Sequence, residues 1–326
     1  LFFALAPTWH FILLGSIVNS LCLIYQPALF AMLQDSLPTD RRGMGSSIVQ
    51  LIHGTFNTPG PVIAGFLLLQ FGVVKSMKLV YLIMTALFYI AAVWRLRLKE
   101  TMTNGEPIRV SYFVSSYPKA IKESFRVWKV VPRSMFWLFV VQTIGMFGMS
   151  LTQVINALYA RDVLHIPQKQ WWLTFIPLLL TMVVASVPIG KMVDKVGRKI
   201  PLVLGMFALG GATLLFVTGD LIFVTDKLLV VMISMCLFGI AQLLMMSAVM
   251  ALSTDLVNPE NRGKVNGFIN FISYIFFGFG MLLGNYLYVS FTPQLPFYVV
   301  LGLIAPTFLI VLFLVHEPKK RVGAIT

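Results

Sequence analysis

Charged residues are scarce in this chain: only 11% of its 326 residues are Asp, Glu, Lys or Arg, whereas 58% are hydrophobic. A soluble domain carries roughly 25% charged residues, so this composition excludes an ordinary soluble protein. Cysteine is nearly absent as well. The two cysteines, Cys22 and Cys236, lie inside apolar runs and offer neither a disulfide framework nor metal-ligand spacing.

Long apolar runs recur along the chain, and each can cross a hydrocarbon core about 30 Å thick. The fold class predicted is therefore an all-α membrane protein. Twenty of the 25 basic residues fall in alternate connecting segments, and the positive-inside rule places those segments and the C-terminus in the cytoplasm. The nine predicted spans are residues 9–34, 46–70, 77–96, 135–158, 171–190, 201–219, 228–253, 265–290 and 296–315.

A charged pattern occurs twice, 220 positions apart, each time at the end of an apolar run. The segment from Asp35 to Gly43 and the segment from Asp255 to Gly263 share one spacing from Asp to Arg-Gly. A repeat of this length is typical of transporters built from two similar halves. The second half begins near Met135, and the offset of 220 places the start of the first half ~85 residues before Leu1. The repeat therefore predicts that ~85 residues with three further spans precede Leu1, giving twelve spans in all.

Three parts of the chain are predicted: an incomplete N-terminal bundle of three spans (1–98), a cytoplasmic linker (99–134) and a C-terminal six-helix bundle (135–326). In the linker, Ile121, Phe125 and Trp128 recur at helical spacing with basic residues opposite, which is typical of an amphipathic helix at a membrane surface. A connector held by anionic lipid and a site for a partner protein both fit this pattern.

One connecting segment has the sequence Gly190-Lys-Met-Val-Asp194-Lys-Val-Gly197-Arg198-Lys199. Its glycines predict a tight turn, and its charges can pair with helix dipoles and with each other. The segment resembles the signature loop of the major facilitator superfamily, G-x-x-x-D-(R/K)-x-G-R-(R/K). With the repeat and the basic linker, the resemblance covers the whole chain as helices four to twelve of that family, and implies the major facilitator fold of two pseudo-symmetric helical bundles.

The same resemblance implies a conformational latch at the cytoplasmic face, which holds the outward-open state. Static helix caps and surface ion pairs are the alternative interpretation. The predicted latch residues are Gly190, Asp194, Gly197, Arg198, Lys199, Asp255, Arg262, Gly263, Asp35, Arg42 and Gly43.

A second element, Gly60-Pro61-Val-Ile-Ala64-Gly65, resembles the G-P-x-x-G-G element of antiporters in the same family, with Ala64 replacing a glycine. It predicts a helix-kink motif at Gly60, Pro61 and Gly65. A close-packed bend between bundles, without a role in antiport, is the alternative.

Neutral polar side chains collect on faces of five predicted spans, whereas all acidic residues fall in loops or at span ends. His53 is the titratable residue placed well inside a span. Amides of this kind either hold helices together or line a water-filled cavity. The candidates for a substrate cavity are Asn19, Gln26, His53, Asn57, Gln142, Gln153, Asn156, Gln242, Asn270 and Tyr274.

The sequence thus predicts a secondary transporter and not an enzyme, because its four histidines are scattered. The lack of charge within spans favours a small neutral or lipophilic solute, and the Gly-Pro element favours efflux. Uptake of a neutral metabolite such as a sugar, or a non-transporting receptor on the same fold, are the alternatives. The expected partners are the solute and the lipid bilayer, without nucleic acid, metal or cofactor, for a monomer in the plasma membrane.

Overall fold

The computed structural model describes residues 1–22, 59–97, 131–222, 226–257 and 259–317, together with residues 122, 125, 126 and 128. This part of the chain is helical, as predicted, and divides into two compact units, Leu1–Pro107 and Ile108–Thr326. The α-helices are α1 (Phe2–Leu5), α2 (Trp9–Cys22), α3 (Pro59–Arg95), α4 (Arg133–Gln153), α5 (Ile155–Asp162), α6 (Gln168–Trp171), α7 (Phe175–Val196), α8 (Lys199–Ile222), α9 (Lys227–Leu256), α10 (Pro259–Ser290) and α11 (Leu295–Phe313).

Helix α3 of the first unit turns back on itself at Gly72, whose φ of 73° and ψ of 172° leave the helical region. The Ser76 hydroxyl donates a 2.7 Å hydrogen bond to the carbonyl of Leu67. Nine residues of continuous helix would separate these groups by about 13 Å, so the two arms of α3 run in opposite directions. The described part of the predicted span 46–70 corresponds to the first arm and the predicted span 77–96 to the second, and glycine supplies the positive φ that the turn requires.

The second unit contains six apolar spans that run alternately up and down. Helix α4 continues after a break at Val154 as α5, and together they form the first span; α7 to α11 form the other five. All six spans predicted for residues 135–326 are therefore present. We use the term latch end for the end of this unit at which α4, α8 and α10 begin and α7, α9 and α11 end.

Two apolar clusters, one near each end of the second unit, hold five of the six spans together, and α7 packs on α9 through Ile189, Val193 and Leu244. The cluster at the latch end joins α4, α8, α9, α10 and α11, and the other joins α4–α5 to the opposite ends of α8, α9 and α11. The most deeply buried side chains of the first include Met135, Leu138, Leu202, Leu252, Val265 and Val311. Those of the second include Ile155, Tyr159, Leu164, Val231 and Phe297.

Large apolar side chains also cover the outside of the helices. On α7, Leu180, Val183, Val184 and Val187 follow helical spacing and are 61–73% exposed. Such a stripe is unfavourable in water and favourable in hydrocarbon. Seven described helices are long and apolar enough to cross a membrane, with α3 counted once despite its turn. The protein is therefore a multi-pass membrane protein, while the total of nine spans stays a prediction.

Two helices extend further than the apolar runs predict. Helix α7 continues to Val196, so Gly190 lies inside it rather than in a turn, and α10 begins at Pro259, so Gly263 is helical too. The prediction of a tight turn at Gly190 was wrong. Polar residues at the end of a membrane helix can keep its backbone hydrogen bonds, so the end of the apolar run does not mark the end of the helix.

Candidate conformational latch

The turn between α7 and α8 is made by Gly197, the second glycine of the signature segment. Its φ of +97° is accessible to glycine and strained for other residues. A Cβ placed on Gly197 would also lie 3.0 Å from both carboxylate oxygens of Glu317. Glycine is therefore required at this position for its backbone conformation and for the close approach of an acidic side chain.

Glu317 caps the beginning of α8. Its Oε1 accepts hydrogen bonds from the backbone N–H groups of Arg198, at 2.7 Å, and of Lys199, at 2.6 Å. The first N–H groups of a helix have no partner inside it, and the helix dipole favours a negative charge there. Lys199 completes the contact, since its Nζ donates to the Leu312 carbonyl at 2.5 Å. The start of α8 is thereby fastened to the end of α11.

A buried ion pair joins the same turn to α9. Arg198 Nε lies 3.1 Å from Asp255 Oδ2, and the two side chains are 10% and 17% exposed. The N–H direction does not meet the requirement for a hydrogen bond, so the contact is an ion pair. A charge this well covered depends strongly on its partner, because removal of either one leaves the other desolvated.

A further contact brings the start of α4 to the latch end. The backbone N–H of His316 donates to the Ser134 hydroxyl at 3.2 Å. The polar contacts at this end thus connect α4, α8, α9 and α11 through residues that are 57 to 182 positions apart. The cluster of Arg198, Lys199, Asp255 and Glu317 is referred to below as the charge cluster.

The structure brings together four of the residues predicted for the latch, Gly197, Arg198, Lys199 and Asp255, and pairs Arg198 with Asp255. Sequence reasoning missed Glu317; its signal was an acidic residue directly after the last apolar run. Asp35, Arg42 and Gly43 lie outside the described residues, as do the side chains of Asp194 and Arg262. The role of the cluster as a latch stays a prediction.

The helix-kink motif lies at the beginning of the described part of α3. Gly65 is buried, and no described atom lies within 4 Å of a Cβ position on Gly60. Residues 23–58, directly before Pro59, and the side chain of Pro61 lie outside the described part, so a kink at Pro61 stays a prediction. The non-helical residue observed in α3 is Gly72.

The counterparts of this motif in the second repeat are Gly280 and Gly284 on α10, where the helix touches α4. A Cβ on Gly280 would lie 2.8 Å from the Phe147 carbonyl, and one on Gly284 would collide with the backbone of Leu151. Small residues spaced four apart allow helices to approach this closely in membranes. Thr143 and Ser273 add a buried 3.3 Å hydrogen bond between the same two helices.

The described residues predicted for the cavity are spread over five helices, α2, α4, α5, α9 and α10, and they differ in exposure. Gln142 on α4 is half-buried, and its Nε2 is buried without a hydrogen-bond partner among the described residues. Asn156 and Gln242 are half-buried, whereas Asn19, Gln153, Asn270 and Tyr274 are exposed; Gln26, His53 and Asn57 lie outside the described part.

Two of the cavities among the described residues, one in each unit, are lined by residues other than these amides. One of about 90 Å³ in the second unit lies between α5 and α6, bounded by Arg161, Ile166 and Trp171 among others. One of about 330 Å³ in the first unit is lined by Tyr89, Ile90, Val93 and Trp94. Within the described ranges, His, Cys, Asp and Glu side chains form no group of three that could hold a metal ion. The substrate cavity predicted from the amides stays a prediction.

Comparison with known proteins identifies a family and a fold. The sequence pattern of the Major Facilitator Superfamily matches residues 1–179 and, in a second match, residues 138–325. No curated protein matches the chain. A crystal structure of a bacterial homologue of the iron transporter ferroportin in its inward-facing state has a TM-score of 0.60 and 15% identity, covering 88% of this chain and 66% of that one.

The outward-facing state of a bacterial ferroportin homologue gives a TM-score of 0.54 and 14% identity, covering 86% of this chain and 65% of that one. The chain therefore spans just under two thirds of the length of these structures. At such low identity the likeness shows the fold alone.

Proposed function

This chain belongs to the Major Facilitator Superfamily, and we propose that it is part of a secondary transporter that exports a small neutral or lipophilic solute by alternating access. Family members that transport do so by rocking two helical bundles about a site near the middle of the membrane. Under this proposal, the described second unit is one such bundle, and its latch end faces the cytoplasm.

The observation that carries the proposal is the charge cluster at the latch end. The Arg198–Asp255 ion pair, whose side chains are 10% and 17% exposed, adjoins the cap that Glu317 places on the start of α8. Ion pairs at the ends of helices that open and close a pathway break in one state and form again in the other, so they favour one of two distinct arrangements. We propose that the cluster stabilises the state closed to the cytoplasm.

The distribution of charge supports a neutral or lipophilic solute. In the described helices, charged side chains lie near helix ends or, in α3, near the turn at Gly72. The positions between are apolar or carry neutral polar groups such as Gln142 and Gln242. A path lined this way favours solutes that need little charge compensation, since binding a bare ion there would require a partner charge.

A flux assay on the native protein in membrane vesicles tests the function and its direction. Inside-out vesicles should accumulate neutral lipophilic dyes, and right-side-out vesicles should not. The reverse polarity would favour the uptake permease, and saturable binding without flux would favour the receptor. The variant Asp255→Asn provides the control. Its flux is divided by the amount of protein inserted in the vesicles, and this ratio should differ from that of the native protein.

The likeness to ferroportin homologues supplies one further arm of the same assay. Those proteins are homologues of an iron transporter, and the likeness at 15% identity concerns the fold. Flux of Fe²⁺ should therefore be measured beside the lipophilic dyes. Saturable Fe²⁺ transport without dye transport would replace the proposed solute class with a divalent metal.

A further inference from the structure

The linker between the two predicted bundles is anchored to the second unit by aromatic contacts. Trp128 packs against Phe139 at 5.2 Å and Phe268 at 5.3 Å between ring centroids, and Phe125 meets Phe268 edge-on at 4.8 Å. Phe136 completes the group at 6.1 Å from Trp128. These five residues, called the aromatic anchor below, tie the linker to the first two turns of α4 and the third turn of α10.

The anchor shows which side of the linker is already occupied. Trp128 packs against the buried cluster at the latch end, beside residues such as Met135 and Val265. Aromatic contacts at these distances are favourable beyond the area that they bury. A protein that recognises an amphipathic helix needs its apolar face free for a groove. The half-buried Trp128 is not free in this way, so its contacts disfavour a groove-forming protein as the partner of this segment, while Phe125 keeps 54% of its surface exposed.

The basic side of the linker remains open. Lys122 and Arg126 are exposed, one helical turn apart, and Arg133 is exposed at the start of α4. The sequence adds Lys119 and Lys129, which lie outside the described residues. The linker thus has an apolar anchor towards the bundle and several positive charges on its other side. This arrangement complements an anionic membrane surface.

We propose that the basic side formed by Lys122, Arg126 and Arg133 binds the headgroups of anionic phospholipids in the leaflet at which α4 and α10 begin. The lipid phosphates neutralise the linker charges, and the aromatic anchor connects this contact to the latch end. The bound lipid thereby stabilises the second unit. The inference requires only that the protein spans a bilayer, so it can fail or hold independently of the proposed transport activity.

The test compares the native protein in nanodiscs of phosphatidylcholine with and without phosphatidylglycerol. The double variant Lys122→Gln, Arg126→Gln removes two charges from the linker. The matched control Lys75→Gln, Lys78→Gln removes two exposed charges near the turn of α3. Bound phosphatidylglycerol is counted by native mass spectrometry after mild delipidation, and the unfolding temperature is measured in both lipid mixtures.

Each basic residue near an anionic surface contributes roughly a fivefold change in affinity, so the linker variant should lose roughly 30-fold in apparent affinity for phosphatidylglycerol. Its stabilisation by that lipid should disappear, while the control keeps it. Equal lipid binding by the linker variant and the unmodified protein would overturn the proposal, and so would an equal loss in the control. Stabilisation by soluble phosphate alone would show a free-anion site instead, and would also overturn it.

Discussion

Asp255→Asn is the sharpest perturbation of the charge cluster, because it removes one charge and keeps the shape of the side chain. At 3.1 Å and an effective dielectric constant of about 20, the attraction to Arg198 is about 5 kcal/mol before the cost of desolvation is subtracted. Loss of one partner of a buried pair costs about 3–5 kcal/mol. The side chains are 10% and 17% exposed and the N–H is misaligned, so we expect a cost below this maximum. Asp255→Asn should destabilise the arrangement that contains the pair by about 2–3 kcal/mol.

If the cluster stabilises the state closed at the latch end, the variant shifts the equilibrium towards opening by roughly 30- to 150-fold. Spin labels at Arg97→Cys, in the first unit, and Lys195→Cys, near the latch end, report the change as a longer distance between the two labels. The background should lack Cys22 and Cys236. The control Asp162→Asn breaks a pair whose side chains are 55% and 42% exposed, and such exposed pairs contribute little.

The double variant Arg198→Gln, Asp255→Asn separates loss of the pair from the penalty of an isolated charge. It should be more stable than Asp255→Asn alone, with a coupling energy that measures the interaction. A lower unfolding temperature for Asp255→Asn with an unchanged distance distribution would refute the latch. The pair would then be a static tie between α8 and α9, which is the alternative interpretation of the signature segment.

Three further predictions concern single residues. Glu317→Ala should destabilise the second unit by about 1–2 kcal/mol, because α8 loses its cap, and Glu317→Gln should lose less; chemical unfolding in detergent measures both. Gly284→Ala should cost about 1–3 kcal/mol because the new methyl group meets the Leu151 backbone, whereas Gly278→Ala, with no described atom within 4 Å of its Cβ position, should be neutral or stabilising in thermal unfolding. If the protein is proton-driven, His53→Gln should retain most proton-coupled flux, and loss of pH dependence with intact substrate binding would place the proton site at His53.

The six spans of the second unit could be predicted from the sequence because each is a separate apolar run bounded by polar residues. The bilayer imposes a length on such runs, and the backbone must satisfy its own hydrogen bonds within them. The residues at which the helices end could be predicted less accurately than the spans themselves. Gly190 and Gly263 are helical, since a glycine permits a turn without requiring one, and the actual turn uses Gly197.

The composition of the charge cluster shows where sequence reasoning stops. The repeat and the signature segment identified Arg198 and Asp255, because each lies in a recurrent pattern with a physical role at a helix end. Glu317 belongs to no such pattern, and it lies 118 positions from Lys199. Its role depends on α11 ending beside the first turn of α8, which is a consequence of how six helices pack. A carboxylate that follows an apolar span can meet water, lipid or another helix end, and only the packed bundle distinguishes these outcomes.

The same reasoning explains Trp128. Its helical spacing predicted an apolar face, but the residues that this face contacts, Phe139 and Phe268, are set by the packing of α4 against α10.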